Sequence, residues 1–236
     1  MKKTLLALAV AAALAPSLAM AEAGDIVVRL RATHISADES SKLQSETVNS
    51  YGPTTTNALY GTGSNAALVV DSNTIPEIDF SYYITKNIAA ELILATGTRH
   101  DVSIKGATGG QAGTNPNLGS VNLLPPTLTA QWHFMPDQTF DPYVGAGVSY
   151  VRAMDNGLNL NGNFPIRISR NSFGPAIQAG VDYNLPDSKW LVNFDVKKIW
   201  FGTKVETTAD SGVTWKKIDQ LDVDPWVVSV GFGRKF

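Results

Sequence analysis

The three histidines, His34, His100 and His133, are the first residues to test for chemistry, because imidazole serves as a metal ligand or general base near neutral pH. None stands at zinc-ligand spacing from another ligand and none has a glutamate base nearby, so neither a metal nor a metal-activated water is implied. The closest approach to a nucleophile elbow, Gly147-Val148-Ser149-Tyr150-Val151, lacks its second glycine. His100-Asp101 has the composition of a catalytic pair but reads as two solvated loop residues. Asp219, Asp222 and Asp224 lack the glycine and glutamate of a calcium loop and read as surface charge. Residues 106–119 read as a flexible loop, not a phosphate cradle, since no strand-to-helix step surrounds them. The chain is expected to be no enzyme and to need no cofactor or metal.

The pattern of charge says more. Arg29 and Arg31 stand two apart, interleaved with Ile26, Val28, Leu30 and Ala32. Asp79, Glu91, Asp182, Asp195 and Lys197 are interleaved with apolar residues in the same way. A period of two puts successive side chains on opposite faces of a strand, so each segment carries charge on one face only. Charges gathered inside a narrow barrel must pair. The two arginines are therefore expected to meet Asp79, Glu91, Asp182 or Asp195 and, with Lys197, to close a floor across the lumen.

Eight alternating segments can supply such a barrel: residues 25–36, 74–84, 88–99, 121–135, 142–152, 173–185, 190–201 and 224–236. In the last, Trp226, Val228, Val230 and Phe232 share a face with Phe236, while Ser229, Gly231 and Gly233 share the other. A soluble half-buried strand alternates too, but here aromatics stand at both ends of the apolar stripe, where a lipid-facing strand meets its two interfaces. Trp132, Phe134, Trp190, Trp226 and Phe236 are expected at those interfaces. The connections alternate between short ones, 85–87, 136–141 and 186–189, and long ones, 37–73, 100–120, 153–172 and 202–222. Short periplasmic turns, long extracellular loops and an even strand count belong to outer-membrane barrels, with both termini periplasmic. The expected fold is all-β: an eight-stranded antiparallel up-and-down transmembrane β-barrel with four long extracellular loops.

Lys2 and Lys3 precede an apolar run over 5–15 and then Ala19-Met20-Ala21, the pattern of a secretory signal peptide cut after Ala21. The expected division is a leader over 1–21 and a barrel over 22–236. The apolar run is shorter than the ~20 residues a spanning helix needs, so any membrane crossing must be β. The net charge of -2 becomes -4 once Lys2 and Lys3 are removed, and no basic excess suggests nucleic acid. The absence of cysteine removes disulfides and thiolate chemistry together. The mean hydropathy of -0.03 is what lipid-facing and lumen-facing residues average to in a barrel.

Specific segments go further: Lys86-Asn87-Ile88-Ala89-Ala90-Glu91-Leu92, Leu124-Pro125-Pro126-Thr127-Leu128-Thr129-Ala130-Gln131-Trp132, Pro142-Tyr143-Val144-Gly145-Ala146-Gly147, Gly180-Val181-Asp182-Tyr183, Trp190-Leu191-Val192-Asn193 and Asp224-Pro225-Trp226. Through them the chain from Gly24 to Phe236 resembles the OmpW family of outer-membrane proteins. The resemblance implies a barrel that admits small hydrophobic compounds, with the Pro125-Pro126 segment at a lateral opening and Ile93 at an apolar constriction. Lys197 departs from the inward tryptophan of that family, Arg31, Glu77 and Asp79 replace small or neutral residues, and Arg234 replaces an apolar one. The lumen is thus more charged than the resemblance implies, which keeps amphipathic or polar solutes open.

By height, the charged inward residues fall at the periplasmic end and the apolar ones, Ala95, Leu123, Val151 and Ile199, towards the outside. Two prolines within a strand each lack a ladder N–H and weaken the wall locally. Ile93, Ala95, Leu123, Leu124, Pro125, Pro126, Val151 and Ile199 are therefore expected along a solute path. The expected function is passive uptake of small hydrophobic molecules with lateral release into the outer membrane of a Gram-negative bacterium. The alternatives are passage of small polar or amphipathic solutes, or a surface receptor or adhesion barrel acting through its loops. Expected partners are membrane lipid and lipopolysaccharide, the solutes and, during biogenesis, the barrel assembly machinery.

Overall fold

The computed structural model describes residues 22–236 apart from 96, 97, 115, 156, 209 and 211. The leader expected over 1–21 lies outside the described residues. Strand β1 (Ile26–Ser36) leads through helix α1 (Leu43–Tyr60) and β2 (Ala67–Val70) to β3 (Asn73–Tyr83). A short turn gives β4 (Ile88–Ala95), followed by β5 (Thr98–Lys105), β6 (Asn117–Leu124) and β7 (Thr127–His133). A second gives β8 (Phe140–Ala153), β9 (Gly157–Leu160), β10 (Phe164–Ile168) and β11 (Asn171–Asn184). After the third come β12 (Trp190–Ile199), β13 (Gly202–Thr208), β14 (Trp215–Asp222) and β15 (Trp226–Lys235).

Eight of these strands, β1, β3, β4, β7, β8, β11, β12 and β15, form a closed antiparallel ring in chain order. The ring closes where β15 pairs with β1, Phe232 opposite Leu30 and Gly231 opposite Arg31. The alternation of sequence sets the two faces. Leu30, Phe80, Leu92, Leu128, Val148, Ile177, Phe194 and Val230 are exposed on the outside, whereas Arg29, Asp79, Glu91, Asp182 and Asp195 are buried within. Trp132, Phe134, Trp190, Trp226 and Phe236 all stand on the outer face. The guanidinium of Arg234 lies 5.3 Å from the Trp190 ring and 5.5 Å from Phe236, so its charge is carried over aromatic faces at the barrel rim.

The long connections are not the unstructured loops that their Gly, Asn, Ser and Thr content suggests. Beyond the ring, β8 pairs with β6, β6 with β5 and β5 with β2, while β9, β10, β13 and β14 form a second sheet. With α1 they build a cap whose apolar core, including Leu43, Leu68, Ile104, Val205 and Ile218, runs continuously into the upper barrel residues Val151, Ala176 and Ile199. Residues 106–119, expected to be a flexible loop, include part of β6 and two glycines held closely: a Cβ on Gly106 would lie 2.3 Å from the Asn65 carbonyl. Composition misled because these segments bury their alternate apolar residues against one another instead of against the barrel wall.

Candidate functional site

The lumen has two halves of opposite chemistry. In the lower half, towards the three short turns, Arg29 Nη2 lies 2.5 Å from Asp182 Oδ2 and its Nε 3.2 Å from Oδ1. Its Nη1 donates to Asp79 at 2.9 Å and to the Ser81 hydroxyl at 2.7 Å. One pleat higher, Arg31 Nη1 reaches Asp79 at 3.0 Å and Glu77 at 3.1 Å, and its Nη2 reaches Glu91 at 3.1 Å. Lys197 Nζ sits 2.7 Å from Asp195 and 3.7 Å from Glu77. The Tyr143 hydroxyl donates to Asp195 at 2.8 Å, and Gln178 donates to Glu91 at 2.9 Å. These groups come from opposite walls, meet across the axis and are all buried.

Space for the arginines comes from the last strand. Arg29 and Arg31 stand opposite Gly233 and Gly231, where an added Cβ would lie 2.7 Å and 2.9 Å from the arginine Cγ atoms. The small face of β15 is thus what allows the two guanidinium groups to lie across the barrel. Below them, His133 Nδ1 is 2.7 Å from Asp141 Oδ2, and its ring lies 5.0 Å from those of Tyr83 and Tyr143. His133, Asp141 and Asp182 bring ligand-type atoms within 4.8 Å of one another. Arg29 occupies both carboxylate oxygens of Asp182, and Asn193 adds a bond to Oδ1 at 2.7 Å. The group therefore serves as the lower edge of the ion-pair network.

Above the floor lies an apolar chamber that opens to solvent, with about 690 Å³ of empty space when the open solvent at its mouth is included. Ile93, Ala95, Leu123, Pro125, Val151 and Ile199 all line it, and Glu77 and Lys197 form its base. Leu124 and Pro126, expected along the path, are not among its lining residues; the proline pair, expected inside one strand, falls between β6 and β7, because neither proline can donate to a ladder. A second apolar space continues upward into the cap. The two share Val70, Leu123, Val151, Phe201 and Val223, which form the neck between them.

The chamber abuts a defect in the wall. Pairing of β4 with β7 ends at Ile93 and Thr127, and pairing of β5 with β6 resumes at Thr98 and Leu123. Between them Leu94 and Ala95 pair with Ile78 and Glu77 of β3, and among the described residues they have no ladder partner on the proline side. Proline lacks the N–H a ladder needs. The other edge of the proline strand is intact: Thr127 pairs with Ser149, Leu124 pairs with Arg152, and Tyr150 N donates to Pro126 O at 2.9 Å. Among the described residues the ladder is interrupted on this side of the prolines, beside the apolar chamber.

Two readings of single residues are corrected. His100, expected to be a solvated loop residue, is 4% exposed on β5 and lines the chamber, while its neighbour Asp101 is exposed. Asp219, expected to be surface charge, is fully buried in the cap; it accepts from the Ser41 hydroxyl at 2.5 Å and from Lys42 N at the start of α1 at 2.7 Å. Burial pushes the Asp219 carboxyl above its ordinary value despite those donors. Nearby, hydrogen bonds from Lys204 and Arg167 hold the Glu206 carboxyl below the usual range. Neither burial was legible from sequence, because each depends on a partner distant in the chain, Asp71 for His100 and Ser41 for Asp219.

A closed ring of eight antiparallel strands, apolar and aromatic outside and charged within, defines an outer-membrane β-barrel. The sequence profile of the OmpW family matches residues 22–236, and the chain belongs to that family. It is 37% identical over 179 residues to Outer membrane protein W of Escherichia coli, covering 74% of this chain and 78% of that one. It is 34% identical over 244 residues to Outer membrane protein W of Vibrio cholerae, covering 100% of both. The crystal structure of the outer membrane protein OprG from Pseudomonas aeruginosa matches with a TM-score of 0.74 at 29% identity, over 93% of this chain and 99% of that chain. The protein is an outer-membrane protein.

Proposed function

We propose that this barrel mediates passive uptake of small hydrophobic molecules, which pass from the cap into the apolar chamber and leave sideways through the Pro125-Pro126 seam. The observation that carries this reading is the meeting of three features: an apolar chamber, a floor of paired charges beneath it, and an unpaired stretch of wall beside it. An apolar solute above the floor would have to displace paired ions to go straight down, and stripping one partner from a buried pair costs ~3 to 5 kcal/mol. The seam asks for no such exchange.

Ile93 and Ala95 on one side and Pro125 on the other offer a low-friction apolar lip, and Thr127 turns its hydroxyl to Ser149 at 2.9 Å. The same floor argues against passage of small ions or sugars through the barrel. Replacing Pro125 and Pro126 by β-formers with an N–H, such as valine and threonine, restores the ladder donors. Uptake of an apolar solute should then fall while the barrel still folds. Undiminished uptake in that variant would count against lateral release.

A further inference from the structure

We propose that His100 is a hydrogen-bond acceptor in the chamber wall that makes the path selective for apolar molecules carrying a hydroxyl, such as medium-chain alcohols; this rests on the uptake reading above. His100 lies in β5, two residues past the point where pairing resumes above the seam, opposite Val121. Its Nδ1 is 2.9 Å from the backbone carbonyl oxygen of Asp71. A carbonyl can only accept, so Nδ1 carries the proton. In the neutral ring this fixes the tautomer and leaves Nε2 with a lone pair. No partner among the described residues meets Nε2.

The surrounding wall makes that acceptor conspicuous. Ile35, Val70, Ala95, Leu123 and Val227 supply apolar surface. The other polar side chains lining it are already engaged: the Thr98 hydroxyl donates to Leu123 O, the Thr127 hydroxyl to Ser149, Lys197 is held by Asp195, and Glu77 by Arg31. An acceptor set among apolar groups carries a desolvation cost until a donor meets it. An alcohol relieves it by donating its O–H while its chain lies on the apolar wall. An alkane offers no donor, and a carboxylate offers only acceptors that meet the imidazole lone pair. The order of preference is therefore alcohol over alkane over carboxylate.

The test is protein-dependent uptake, at subsaturating solute, of labelled 1-octanol and n-octane by intact cells displaying the full-length protein, with barrel folding checked by heat-dependent gel mobility. His100→Asn keeps a donor where Nδ1 was and leaves no acceptor at the Nε2 position. His100→Gln places an amide oxygen where Nε2 was. The expected result is an octanol-to-octane ratio about two- to tenfold lower in His100→Asn, the range of one net hydrogen bond, and largely restored in His100→Gln, with octane uptake unchanged in both. A ratio unmoved in His100→Asn, or lost equally in both variants, would overturn the role of Nε2 and leave the uptake reading standing. No protein-dependent octane uptake by the unaltered protein would overturn the uptake reading, and this inference with it.

Discussion

Arg29→Ala tests the floor most sharply, because Arg29 is completely buried and makes four short contacts: two to Asp182, one to Asp79 and one to Ser81. Summing charge-assisted bonds at ~1.5 to 3 kcal/mol each overstates the loss, since the arginine's own desolvation is recovered when it is removed. The residual cost is that of two buried carboxylates left short of a cation. Asp79 keeps Arg31 at 3.0 Å, and Asp182 keeps Asn193 at 2.7 Å, so the expected cost sits near ~3 kcal/mol, the lower end of the range for breaking a buried pair. Asp182→Ala should cost about as much, whereas Arg29→Met with Asp182→Leu should cost clearly less than the two single losses together, since neither charge is then stranded. Equilibrium urea unfolding in detergent, followed by tryptophan fluorescence, measures all three. If both single variants stay within ~0.5 kcal/mol of the unaltered protein, these groups face water in an open pore and the closed floor is wrong.

Four further outcomes follow from the same structure. Short tags at Gly63, Gly162 or Gly212, around which an added Cβ meets nothing within 4 Å, should be labelled from outside intact cells, and tags at Asn87 or Asp187 in the short turns should not; the reverse pattern would invert the barrel. A tag at Gly110 should disturb the cap, since a Cβ there would lie 2.6 Å from the Ala58 carbonyl. Asp219→Ala should loosen the start of α1 by about 0.5 to 2 kcal/mol, as for a lost helix cap, whereas Asp219→Asn should be tolerated; amide exchange of residues 43–47 reads this. Because the Asp219 carboxyl is raised in the folded cap, its contribution is fully present below its unfolded value of about 3.9 and is lost as pH rises through the folded value. Cap protection should accordingly lose that contribution above about pH 4, and Asp219→Asn should flatten that part of the profile.

How far the sequence reaches is clear from particular residues. The ring was legible because a period of two leaves no choice of face: once Arg29 and Arg31 point inward, Leu30 and Ala32 point outward, and the register of β1 with β15 follows from Gly231 and Gly233 making room for them. The proline pair was legible as a break, since two missing N–H groups are a property of the residues themselves. Which edge of the proline strand opens was not, because β8 satisfies Pro126 through its carbonyl and only the partner geometry shows that. The cap was hidden for another reason. Its strands are short, four residues in β2 and β9, and α1 contains Pro53 and a non-helical Gly52, so neither periodicity has room to emerge. His100 and Asp219 were misjudged with it, as their burial depends on partners far away in sequence, Asp71 and Ser41.

The account rests on where an apolar solute leaves the barrel, and photocrosslinking reads that position directly. Intact outer membranes exposed to an alkyl diazirine and irradiated should yield adducts on Ala95, Leu123 and Pro125, which line the chamber at the seam, and none on Ser81 and Asn193 within the ion-pair network or on His133 beneath it. Adducts on those three lower residues, with the seam residues unmodified, would mean that solute passes through the floor and would contradict lateral release.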